Sequence, residues 1–105
     1  MSTRLEHEGI ALFDSRRDIG FSTSIPSKQA AKLLEEVGEF IEAVMNDDCD
    51  NALMEAGDVA WLLVDMLHVM GSDYLLAVGM HSALDKMKLR LSESLKQQAL
   101  GENNG

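Results

Sequence analysis

At 105 residues the chain is long enough to bury a single core and reads as one domain. Its 46% hydrophobic and 26% charged residues exclude a disordered chain. A net charge of −9 excludes sequence-independent binding to nucleic acid, which needs a basic surface, but not a phosphate-bearing small molecule held through metal ions. One proline, few aromatics and many Leu, Ala, Met and Glu favour helix throughout.

Residues 3–18 are read as a first helix with Leu5, Leu12 and Phe13 as a weak apolar stripe, interrupted by Gly9. Gly20 to Ser27 is a connection, with Ser24 or Ser27 as the cap of the next helix and Pro26 at its start. The second helix runs over 27–45, where Leu33, Leu34, Val37, Phe40, Ile41 and Val44 recur at spacings of three and four. A polar turn follows, with Asp50 or Asn51 capping a third helix over 51–70. That helix is apolar almost all round, so burial on most sides is expected and a second subunit is implied. Gly71 to Asp73 break the chain, and Ser72 or Asp73 caps a fourth helix ending near Gln98, with residues 98–105 as a frayed tail. Short connections make antiparallel neighbours, so the expected fold is an all-α, four-helix bundle-like domain forming an obligate homo-oligomer.

The chemistry lies between Lys32 and Asp58, in the pattern EExxE, fifteen residues, ExxD. Residues three or four apart on a helix share a face, so Glu36 and Glu39 lie together, with Glu35 at their edge. Glu55 and Asp58 pair in the same way on the third helix. Facing one another, the two pairs make a compact four-carboxylate site, and oxygen-only ligands of that charge suit Mg²⁺, or Mn²⁺ in its place. Asp65 falls in the same sector as Glu55 and Asp58, where it needs a cationic or hydrogen-bonding partner behind the site, such as a lysine. Gln29 and Lys32 share the face of Glu36 and Glu39. Lys32 is either an i,i+4 partner of Glu36 or a phosphate contact. Lys86 and Arg90, on one face of the fourth helix, are either a phosphate clamp or solvated surface.

His68 stands three residues after Asp65, but a di-iron bundle needs two acid-x-x-His pairs and no second one occurs, with His7 and His81 both lacking such acids. The lone Cys49 excludes an intrachain disulfide and fits a reducing compartment. The first residues lack a signal-peptide layout, and Val59–Met70 is too short and too charged to span a bilayer. A cytoplasmic chain without membrane contact is expected.

The stretch KLLEEVGEFIEA…ALMEAGDVAWLLVDML resembles the MazG-like branch of the all-α nucleoside triphosphate pyrophosphohydrolases. SKQAAKLLEE is similar to the Gln-x-x-Lys-x-x-x-Glu lead-in of its small members, which brings in Gln29 and Lys32. The resemblance covers about residues 28–70. It implies that Glu36, Glu39, Glu55 and Asp58 bind Mg²⁺, that Glu35 positions a second ion or the attacking water, and that Lys86 and Arg90 correspond to later basic residues of the family. The usual Asn of that last segment is Asp85 here. The implied reaction is hydrolysis of a (deoxy)nucleoside triphosphate between the α and β phosphates, giving a monophosphate and pyrophosphate, in nucleotide-pool house-cleaning by a homodimer or homotetramer. The competing expectation is a non-catalytic helical bundle that binds a nucleotide or a partner protein.

Overall fold

The structure, a computed structural model, describes residues 4–72 and 76–104. It contains four helices, α1 (Arg4–Asp18), α2 (Pro26–Met45), α3 (Cys49–Val69) and α4 (Leu76–Asn104), and no strand among the described residues. The all-α expectation holds. The chain divides into two units, residues 2–76 with α1 to α3, and residues 77–105 with the rest of α4.

Within the first unit, α2 and α3 form a helical hairpin and α1 packs on α3. A three-residue connection, Asn46 to Asp48, forces α2 and α3 antiparallel. Three helices end in the same way, with a residue in the left-handed region and two reverse hydrogen bonds. Gly20 (φ 82°) closes α1, its amide donating to the Arg17 carbonyl at 3.1 Å while Phe21 donates to Arg16 at 2.8 Å. Gly71 (φ 84°) closes α3 through donation to His68, and Ser72 to Leu67. At the end of α2 the same position is Asp47 (φ 55°), a residue type that tolerates this conformation because its short side chain is polar.

The helix starts differ from the sequence expectations. The cap of α3 is Asp48, whose Oδ1 accepts from the Asn51 amide at 3.2 Å, so the helix begins before Asp50 and Asn51. At α2 neither Ser24 nor Ser27 caps. Ile25 holds the cap position without a side-chain bond, Pro26 fills the first helical position, where its missing N–H goes unneeded, and Thr23 Oγ1 accepts from the Ile25 amide at 3.0 Å. Helix α4 continues past Gln98 through Leu100 to Asn104, since Ala99, Leu100 and Glu102 are good helix formers. Asp73 lies outside the described residues.

The core of the single chain is thin. Ala43 and Val64 are the buried hydrophobic residues, at 2% and 6% exposure, and the apolar circumference expected to bury α3 is mostly half-buried. Trp61 packs edge-on against Phe13 of α1, ring centroids 6.2 Å apart. Gly9 makes that approach possible, because a Cβ there would collide with the Trp61 ring. The residue that weakens α1 as a helix is the one that lets α1 dock.

Candidate metal and nucleotide site

The hairpin brings Glu36, Glu39 and Glu55 together, with one carboxylate oxygen from each lying within 4.8 Å of the others. Glu36 is buried and Glu55 half-buried, and one oxygen of each, Glu36 Oε2 and Glu55 Oε2, is sequestered with no hydrogen-bond partner. A desolvated carboxylate oxygen without a donor costs several kcal/mol, on the order of the penalty for any buried charge. The repulsion shows in Glu39: the charge of Glu36, then a hydrogen bond with Glu55, push its carboxyl above the ordinary value. Hard oxygen donors, converging charge and orphaned lone pairs fit a divalent cation.

Asp58, the fourth expected ligand, stands outside this triplet on an exposed turn of α3. It lines, together with Glu36, an open cavity of about 920 Å³ bordered by α1, the α1–α2 connection, α2 and α3. Glu39 and Glu55 line a smaller recess of about 200 Å³ with Asn46, Asp48 and Asn51. Glu36 therefore links the carboxylate triplet to the large cavity.

Lys32 sits one turn before Glu36, its Nζ 3.1 Å from Glu36 and 3.7 Å from the exposed Glu35. The hydrogen bond to Glu36, then the charge of Glu35, raise its pKa, so it stays protonated. It lines the cavity while making the local i,i+4 ion pair. Lys86 and Arg90 are exposed on α4, in the second unit.

Asp65 is buried at 3% exposure, and its partner is Arg17 rather than a lysine. Arg17 donates from Nη1 to Asp65 and from Nη2 to Asp14, both at 2.7 Å. Burial opposes the guanidinium charge, but its hydrogen bonds to Asp14 and Asp65 outweigh it and raise its pKa; the bond from Arg17 lowers that of Asp14. Gln29, 4% exposed, donates from Nε2 to the other Asp65 oxygen at 3.4 Å and to the Thr23 carbonyl at 3.3 Å. His68 pairs through Nε2 with Asp14 at 3.1 Å and belongs to no metal-ligand group among the described residues. Arg17 escapes a reading of the sequence because its partner is 48 residues away and no local spacing marks it. The aromatic pair Phe13 and Trp61, on the cavity wall, carries no spacing signal for the same reason.

No helix among the described residues is long and apolar enough to cross a membrane. No curated protein and no solved structure matches the chain significantly. The sequence model of one family does match, over residues 11–74: phosphoribosyl-ATP pyrophosphohydrolase. This span includes every carboxylate of the site, Gln29, Lys32 and the Arg17–Asp65 pair, and stops before Lys86 and Arg90. The matched family shares the all-α nucleoside triphosphate pyrophosphatase superfamily with the MazG-like branch that the sequence resembles. With well over half its length matched and the acidic helical hairpin in place, the chain belongs to the phosphoribosyl-ATP pyrophosphohydrolase family.

Proposed function

We propose that the protein is a Mg²⁺-dependent pyrophosphohydrolase that cleaves a nucleoside triphosphate between its α and β phosphates. The observation that carries this reading is the Glu36–Glu39–Glu55 triplet, with two orphaned carboxylate oxygens, at the edge of a cavity of nucleotide size. Glu36, Glu39 and Glu55 would hold the cation, with Asp58 reaching it from the cavity side. The ion, when bound, neutralises phosphate oxygens and lowers the pKa of a water for in-line attack on phosphorus. The chain's own part is to hold the carboxylates converged, and to offer Lys32 as a point charge for a phosphate oxygen. Glu35, exposed beside Lys32, is proposed to accept the proton of the attacking water or to hold a second ion. Lys86 and Arg90 are proposed to complete the phosphate contacts, and Mn²⁺ to replace Mg²⁺. A homodimer or homotetramer in the cytoplasm is the assembly and setting we propose.

Two substrate readings follow. The EExxE…ExxD pattern and its MazG-like resemblance favour (deoxy)nucleoside triphosphates and house-cleaning. The family match favours phosphoribosyl-ATP, itself a nucleoside triphosphate. Pyrophosphate release from both, with Mg²⁺ and with EDTA, tests the reaction and separates the substrates. The expected result is metal-dependent release that Glu55→Gln lowers by at least about 100-fold, the scale of losing a principal electrostatic contact to a transition state. No release from any of them would end the catalytic reading and favour a bundle that only binds nucleotide.

A further inference from the structure

The same cavity has a second kind of lining. Leu12, Phe13, Trp61 and Leu62 line it, an apolar and aromatic wall suited to a flat ring. Gln29 also lines it, seven residues before Glu36 on the same helix. That offset is two turns, about 10 Å along the axis, which leaves room for a sugar and one ring between them.

The orientation of the Gln29 amide is fixed by its neighbours. Its nitrogen meets the Asp65 carboxylate and the Thr23 backbone carbonyl, and both of these only accept hydrogen bonds. Reversing the amide would set its oxygen against two acceptors, so the reversed state is excluded. Arg17, at 2.7 Å from the other Asp65 oxygen, anchors that carboxylate in turn. With both N–H groups engaged, the end of Gln29 left for a ligand is its carbonyl oxygen, an obligate acceptor.

Resting on the nucleotide reading of this cavity, we propose that Gln29 is a base-discriminating residue that selects a nucleobase with an exocyclic amino group, adenine or cytosine type, over the corresponding oxo bases. An amino group gives the Gln29 oxygen the donor it lacks. An oxo group at that edge sets oxygen against oxygen in a desolvated site, and polar sites built for a donor reject ligands without one strongly. The Asp65–Arg17 pair acts through Gln29 as a positioning pair.

The test uses Trp61, the one tryptophan of the chain and part of the cavity wall, as a fluorescence probe. The full-length protein is titrated with AMP against IMP and with CMP against UMP, so the readout does not require turnover. The expected result is tighter binding of the amino member of at least one pair by about tenfold or more, the scale of one desolvated hydrogen bond. Gln29→Met should bring that ratio to about one. Asp65→Asn, which removes one of the two acceptors that hold the amide, should relax it toward the oxo base. Each ratio is taken within one variant and does not depend on how much of it is folded. Equal or tighter binding of the oxo nucleotides, no binding of any of the four, or a ratio that Gln29→Met leaves unchanged would overturn the proposal. A chain that releases pyrophosphate without amino selectivity fails this inference alone, whereas one that selects amino bases without releasing pyrophosphate fails only the catalytic reading.

Discussion

Two residues answer to pH in opposite directions. Glu39 is held above its ordinary pKa, by Glu36 first and then by Glu55, so the folded metal-free protein binds that proton more tightly than the unfolded chain does. Its contribution to stability therefore grows as pH falls through the window just above the ordinary carboxylate range. Asp14 is lowered by its bond to Arg17, so its contribution is present above its ordinary value of 3.8 and is lost as pH falls through the depressed value. Melting curves without metal should show Tm rising on mild acidification from about pH 7 toward pH 5, then falling below about pH 4. Glu39→Gln should remove the rise and spare the fall, while saturating Mn²⁺ should raise Tm most at neutral pH. The Arg17–Asp65 pair gives a larger residue-scale effect. Arg17→Met leaves the buried Asp65 without a countercharge, and urea denaturation should register a loss of about 3–5 kcal/mol. A loss under about 1 kcal/mol would mean that Asp65 has water or another donor in place of Arg17.

At the scale of the elements, the docking of α1 depends on a missing side chain. In Gly9→Ala the new methyl must displace the Trp61 ring, an overpacking cost of about 1–3 kcal/mol, against about 1 kcal/mol gained in helix propensity. The net expectation is a modestly lower Tm with a shifted Trp61 emission, as the ring is pushed toward the cavity. An unchanged spectrum with a higher Tm would show that α1 does not sit on Trp61. Helix interiors were legible in the sequence because Leu33, Val37 and Phe40 repeat at the helical period. The starts were less so: Asp48, Asp50 and Asn51 are all acceptable caps by residue type, and the left-handed Asp47 decides among them by ending α2 where it does. Gly9 read as a break in α1 because propensity is local, while its purpose is a contact with a ring 52 residues away.

For the whole molecule, the thin core of the single chain supports the proposed assembly. Leu34, Ile41 and Met45 are 75%, 52% and 79% exposed and form a stripe on the face of α2 opposite Glu36 and Glu39. Uncovered apolar stripes of this kind mark subunit contacts in helical bundles. Sedimentation at micromolar concentration should give a mass that is a multiple of 11.5 kDa, and Ile41→Lys should shift it toward the monomer. A monomer at all concentrations would contradict the assembly proposed here. The site was partly legible: Glu36, Glu39 and Glu55 meet as their spacing requires, because a short turn fixes the helices as neighbours. The aromatic cavity wall and the Arg17–Asp65 pair were not, since Phe13 meets Trp61, and Arg17 meets Asp65, only when α1 folds over α3. The central claim remains the reaction, and phosphorus NMR of the products tests it most directly. With Mg²⁺ and a triphosphate panel that includes phosphoribosyl-ATP, the expected products are a nucleoside monophosphate and pyrophosphate in equal amounts. A nucleoside diphosphate with inorganic phosphate, or an unchanged triphosphate across the whole panel, would contradict it.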